Sequence, residues 1–334
     1  MLSPIISSIE NKVAHVENAK DVDARIAAEI EAVKQSDYTI QPIWCQFSGI
    51  TCGITSGTIS YASVISIDLT RCSLRGEIPS TIGNFPSLTS LILTSNDLEG
   101  ALPMVIEKLT TLKVLKFDDN LFTGNIPSGY GNLKALTSLT FSGTFLEGSI
   151  PTSFCSLTSL STLSMKSCGL SDRIPSCLGE FPSMINLDLS KNILSGTIPS
   201  SLGKLSSLNS LDISNNQLTG TIPHTMGLLE SISELNLSNN KLSGTITTEM
   251  SKLKKLSALN LSKNHLTMGT EVQVPPSTFS IATLQSRFSS WDFNCLHWTS
   301  PVWGNQVYLP VNCAAKGLYY GQMCTILLCV VHHA

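Results

Sequence analysis

The chain has 334 residues, a formal net charge of −3, and only 13% charged and 6% aromatic side chains, against roughly 25% charged in an ordinary soluble domain. A weakly negative chain without clustered Lys and Arg cannot release counterions from phosphates, so no nucleic-acid partner is expected. The longest apolar stretch, residues 323–331, has nine residues, well short of the ~20 a bilayer-spanning helix needs, so no membrane span is expected within the given chain.

In chain order, residues 1–60 read as an N-terminal segment and cap. Residues 1–10 carry no cationic region, and Pro4, Ser7 and Ser8 break their apolar run, so they do not read as a secretory signal. Over residues 21–35, Ile26, Ile30 and Val33 fall at helical spacing and predict a short amphipathic helix. Next comes Trp44-Cys45-Gln46-Phe47-Ser48-Gly49-Ile50-Thr51-Cys52. With no nearby His, its two cysteines offer only two of the four ligands zinc usually takes, and no metal or cofactor is expected. Ten cysteines in the chain point to an oxidising compartment. The unsignalled N-terminus leaves three alternatives: a signal outside this sequence, unconventional export, or a cytoplasmic protein with reduced thiols.

Residues 61–268 repeat. At a spacing of 24 residues, Leu88, Leu112, Leu136, Leu160, Met184, Leu208, Ile232 and Leu256 fall in one column, with Val64 before them. Aliphatic residues return three and five positions later, as in Leu91 with Leu93 and Leu211 with Ile213, the alternation of a short strand with one buried face. Then come Asn96, Asn120, Asn192, Asn216, Asn240 and Asn264, expected to form a buried ladder bonding the backbone of their own turn and the neighbouring one; Cys72, Thr144 and Cys168 replace Asn in three units and should weaken it. Gly and then Ile-Pro or Leu-Pro follow, giving a bend and an extended return segment before a short irregular helix. No coil can bury its leucines alone, so stacking must supply the core, at roughly 1.5–3 kcal/mol per buried aliphatic side chain.

The pattern L-x-x-L-x-L-x-x-N-x-L-x-G-x-I-P, over about residues 44–268, resembles the plant-type extracellular leucine-rich-repeat family, which includes receptor-kinase ectodomains, receptor-like proteins and polygalacturonase inhibitors. The resemblance implies an α/β repeat solenoid: a right-handed superhelix of about nine 24-residue coils with caps at both ends and strands lining a concave face. It also implies that the motif around Cys45 and Cys52 is the N-terminal cap closed by a disulfide, with the helix before it as cap packing. The implied role is non-enzymatic recognition of a protein or peptide ligand, with a co-receptor as a further candidate partner, outside the cell or at its surface. The alternatives are a cytosolic scaffold of the same fold, a polygalacturonase-inhibitor-like protein, or a protein adsorbing to cell wall or ice.

After Asn264 the register stops. Residues 269–313, with Pro275-Pro276 and with Cys295 and Cys313 bracketing Trp298 and Trp303, look like a C-terminal cap closed by one disulfide. Residues 314–334 form an apolar tail of unknown role. Cys155 and Cys177 occupy nearly equivalent places on adjacent coils, where a clip between them and chance placement both remain open. The six histidines lie in different segments without a catalytic motif, so no catalysis is expected.

Residues alternating with the core aliphatics should face outward. The central column reads Asp68, Ile92, Lys116, Thr140, Ser164, Asp188, Asp212, Asn236 and Asn260, and one flank reads Thr70, Thr94, Asp118, Ser142, Lys166, Ser190, Ser214, Ser238 and Ser262. This surface is polar and nearly free of aromatics, which favours a protein or peptide over sugar rings. Its single central Thr does not favour adsorption to an ordered surface. Lys116, Asp118, Asp119 and Lys166 form the charged cluster best placed for specificity. Asn236-Leu237-Ser238 and Asn260-Leu261-Ser262 match the N-glycosylation pattern. Glycans on both would cover the C-terminal third of the face and direct a ligand to residues 116–212, including Thr140, Ser164, Asp188 and Asp212.

Overall fold

The computed structural model describes residues 48–55, 61–246, 248–268, 297–299 and 306–308. They belong to two compact units, residues 1–171 and residues 172–334. In the first unit the strand Ile50–Thr55 runs antiparallel to Tyr61–Asp68, setting Cys52 opposite Val64. The strands Ser90–Ile92, Val114–Lys116, Ser138–Thr140 and Thr162–Ser164 then add in parallel, each aligned with the residue 24 positions earlier, so that Leu91, Leu115, Leu139 and Leu163 stand in line. The second unit repeats this with Asn186–Asp188, Ser210–Asp212, Glu234–Asn236 and Ala258–Asn260, aligning Leu187, Leu211, Leu235 and Leu259.

Each proline of the Ile-Pro or Leu-Pro pair is extended and starts a five-residue 3-10 helix, such as Ser80–Asn84 in the first unit and Ser200–Lys204 in the second. The third helical residue donates its N–H to the proline carbonyl, as Ile82 does to Pro79 and Leu202 to Pro199, both at 3.1 Å. So short a span between the proline and the next core leucine leaves no room for an α-helix. The expected irregular helix is therefore a single tight turn that buries one side chain, Ile82 and Leu202 in these two cases.

The ladder forms as expected, and the geometry shows why asparagine suits it. In the first unit Asn120 Nδ2 donates to the carbonyls of Phe117 (3.0 Å) and Asp118 (3.1 Å) in its own turn and of Leu93 (2.9 Å) one coil back, while its Oδ1 accepts the Leu98 N–H at 3.1 Å. Asn216 makes the same set in the second unit. Asn264, on the last coil, bonds likewise but is only half-buried. Thr144 directs its hydroxyl to the Phe141 carbonyl at 2.7 Å, and the Cys168 sulfur lies 3.2 Å from the same oxygen. Neither side chain can donate and accept at once across a planar amide's span.

The residue before each rung takes a left-handed backbone, with φ of 53° at Asp119 and 55° at Asn215. Such a conformation costs a non-glycine residue of order 1–3 kcal/mol, sustained by the bonds around it. Where Thr144 weakens the ladder, Gly143 takes this conformation without strain, at φ 71°.

A feature the repeat pattern does not announce is the pairing of the return segments. Arg75–Gly76, Asp97–Ala101, Leu121–Asn125 and Phe145–Glu147 form a four-stranded sheet in the first unit, and Thr219–Gly220, Lys241–Ile246 and His265–Met268 a three-stranded one in the second.

Cys52, Cys155 and Cys177 are each disulfide-bonded. Cys72 is exposed with a free thiol. Alkylation of the unreduced native protein should therefore label Cys72 and spare the other three, as read by peptide mass mapping; labelling of Cys155 or Cys177 would contradict the structure. The helix over 21–35, Cys45, Cys295 and Cys313 lie outside the described residues. Within the segment read as a C-terminal cap, His297–Thr299 pairs antiparallel with Gln306–Tyr308. Among the described residues no helix is long and apolar enough to cross a membrane.

Candidate ligand-binding face

On the first unit's strand face the central column runs Asp68, Ile92, Lys116, Thr140 and Ser164, register partners on successive strands. Lys116 is half-buried at its centre. Asp118 accepts the Thr140 hydroxyl and, at 2.8 Å, the Ser142 N–H, so its carboxylate ties one coil to the next. Thr140 is more enclosed than alternation implies: it is 7% exposed and its hydroxyl donates to Asp118, so it presents little surface. Ser164 shares a 2.7 Å hydrogen bond with Ser142, whose Oγ also accepts the Lys166 N–H at 3.2 Å. Asp119 sits on the following turn, exposed, 3.4 Å from the Ser95 hydroxyl. Of the expected charged cluster, Lys116, Asp119 and the Lys166 side chain make no hydrogen bond that closes them to a ligand.

In the second unit Asp188 holds the Ser190 N–H (2.9 Å) and hydroxyl (2.6 Å), and Asp212 holds the Ser214 N–H at 2.9 Å. Ser190, Ser214, Ser238 and Ser262 are buried, contrary to the outward flank expected from alternation. The strand has ended by this point, and the chain curls back so that each serine caps the acidic or amide side chain two residues before it.

Alternation also points outward the residue before each core leucine, a column the sequence reading passed over. It reads Ser90, Val114, Ser138 and Thr162 in the first unit, and Asn186, Ser210, Glu234 and Ala258 in the second. Counting one residue to either side of the buried leucine finds it. The first unit thus offers apolar Ile92 and Val114 beside the Lys116 cation among hydroxyls, whereas the second offers Asp188 and Glu234 among amides.

A second ordered surface lies on the second unit's return sheet. Thr197 pairs with Thr219 and Thr245 with Thr267 on adjacent coils, and Thr219 and Thr267 donate to the glycine carbonyl of the preceding coil at 3.2 Å. Thr197, Thr221 and Thr245 are exposed. Gly220 takes a left-handed backbone, at φ 78°, and a methyl added there would lie 2.8 Å from Thr197 Cγ2. Among the described residues no group of three His, Cys, Asp or Glu side chains could hold a metal ion.

Comparison with known proteins agrees with this architecture. A family model described as leucine rich repeat matches residues 182–242, and a second leucine-rich-repeat model matches residues 63–85 and 135–157. No curated protein matches the chain in sequence. Among solved structures, the leucine-rich-repeat ectodomain of the Arabidopsis thaliana membrane receptor kinase GASSHO1/SCHENGEN3, in complex with CASPARIAN STRIP INTEGRITY FACTOR 2, is 35% identical, covering 72% of this chain and 30% of that one, with a TM-score of 0.65. The Arabidopsis receptor kinase HAESA, in complex with the peptide hormone IDA and the co-receptor SERK1, is 39% identical over 58% of this chain and 33% of that one, with a TM-score of 0.57. A plant ice-binding protein is 26% identical over 73% of this chain and 86% of that one, with a TM-score of 0.56. The chain is a leucine-rich-repeat protein, with repeats of the plant extracellular type. It spans about a third of the length of the two receptor structures.

Proposed function

We propose that this chain is an exported, non-catalytic recognition module whose strand face binds a peptide or protein ligand. The observation that carries the reading is its likeness, at 35% and 39% identity, to two receptor ectodomains whose structures contain bound partners. The chemistry of the first unit's face is compatible with a peptide: Ile92 and Val114 offer apolar contact and Lys116 an anion partner. The disulfide-bonded cysteines fit an oxidising compartment. As in the sequence-based expectation, a co-receptor is a further candidate partner.

The test is a thermal-shift screen of the purified chain against synthetic plant secreted peptides, followed by calorimetric titration of any that bind. A ligand at a hundred times its Kd should stabilise the fold by about 2.7 kcal/mol. Lys116→Glu together with Ile92→Arg should weaken binding at least tenfold, while Ser206→Lys, exposed after a 3-10 helix and off the strands, should not. Equal affinity of all three proteins would remove the strand face from the function.

A second reading, adsorption to ice, is favoured by one observation: the cross-strand Thr pairs of the return sheet, Thr197 with Thr219 and Thr245 with Thr267, in a chain resembling a plant ice-binding protein. The central column, whose single Thr does not favour adsorption, lies on the other sheet. Ice-recrystallisation inhibition that Thr221→Glu abolishes would favour this reading over the first.

A further inference from the structure

The column after each core leucine in the second unit runs Asp188, Asp212, Asn236, Asn260, and each residue receives at Oδ1 the N–H of the serine two positions on, at 2.9, 2.9, 3.2 and 3.2 Å. The change from Asp to Asn along the column decides what happens next. Asp212 has a second carboxylate oxygen, and Oδ2 accepts from Asn236 Nδ2 at 3.0 Å; the same nitrogen reaches Ser214 Oγ at 3.2 Å. An amide nitrogen has two hydrogens, and Asn236 commits one to each bond. Asn236 itself has only one oxygen, which already accepts the N–H and the hydroxyl of Ser238 at 3.2 and 2.8 Å. No second oxygen is left for the next coil. Asn260 therefore receives Ser262 at Oδ1, at 3.2 Å from its N–H and 2.8 Å from its hydroxyl, while its Nδ2 donates to nothing among the described residues.

Both asparagines head an Asn-Leu-Ser tripeptide. We propose that Asn260 is an N-glycosylation site of the folded, exported protein and that Asn236 is not. In the modification, Nδ2 bonds the anomeric carbon of a lipid-linked diphospho-oligosaccharide, the lipid diphosphate leaves, and one Nδ2 proton is lost. At Asn260 no described residue accepts that proton. At Asn236 the sugar would replace a hydrogen engaged with Asp212 or Ser214 and would stand against the preceding coil. Transfer occurs on the unfolded chain, so chains modified at Asn236 must fold against this loss and are depleted from the folded population. The earlier expectation of glycans at both positions is thereby narrowed to one, and the strand face up to Asn236 stays open to a ligand.

The inference rests on the exported reading, so the experiment supplies export itself. The chain is expressed behind a signal peptide in insect cells, and secreted and cell-retained fractions are deglycosylated enzymatically in heavy-oxygen water, which marks each formerly occupied asparagine for mass mapping. The secreted fraction should carry the mark at Asn260 with at least tenfold lower occupancy at Asn236, and any Asn236 modification should be enriched in the retained fraction. Asn260→Gln should abolish the glycan mass and Asn236→Gln should leave it. Comparable occupancy at both sites, occupancy at Asn236 alone, or none at either would overturn the proposal. None of these outcomes depends on ligand binding, so the two readings fail separately.

Discussion

Leu211→Ala is expected to destabilise the chain by about 2–5 kcal/mol, the range for truncating a buried leucine in a packed core. Leu211 is 1% exposed and lies in register between Leu187 and Leu235 on adjacent strands. Removing its isobutyl group opens a void bounded by the coils above and below, and their backbones cannot close on it without breaking the ladder hydrogen bonds that set their separation. The neighbouring Ser210→Ala should change stability by no more than about 0.5 kcal/mol, because the Ser210 hydroxyl reaches only the exposed Glu234 carboxylate, at 3.4 Å. Urea denaturation of both variants, compared by midpoint, is the measurement. Equal losses would mean that the strand register is wrong.

Asn216→Ala is expected to cost about 2–3 kcal/mol, near the upper end for leaving a buried donor unpaired. The distribution of bonds explains why the cost centres on one group. The carbonyls that Asn216 serves each have a second donor: Leu189 from Asn192, Ile213 from Asn240, and Ser214 from the Lys191 N–H. The Leu194 N–H, by contrast, has Asn216 Oδ1 as its acceptor, at 3.0 Å, and would be left buried without one. Asn216→Asp should be at least as damaging, because an ionised carboxylate keeps the acceptor for Leu194 yet faces three carbonyl oxygens with no hydrogen to offer. Hydrogen exchange at Leu194 gives a local readout. Unchanged protection there in Asn216→Ala would show that the rung is dispensable.

Much of this architecture is legible without coordinates, because a repeat multiplies weak signals. One Leu-x-x-Leu-x-Leu segment is ambiguous, but the same spacing carried from Val64 to Leu256 leaves one register in which every coil buries the same positions, and that register places the asparagine rungs and the Ile-Pro turns. The outward faces were less legible. Alternation holds while the chain is a strand, so it placed Lys116 and Asp188 on the face, but it was applied past the strand's end to Ser190 and Ser214, which the turn buries. It was also read on one side of the leucine only, so that Ser138 and Glu234 were missed.

Residue order alone specifies the coil: which residues recur, which are apolar, where asparagine must serve a turn and where proline must extend the chain. These depend on contacts between positions at one fixed separation along the chain, and that separation is visible as periodicity. Only the tertiary structure decided how the polar groups of neighbouring coils were shared. It placed Thr140 against Asp118, paired the return segments into second sheets, and let Asp212 occupy the Asn236 amide, whereas no described residue accepts from that of Asn260. A hydrogen bond depends on direction and on which lone pair or proton is already taken, and neither quantity is carried by residue type and spacing alone.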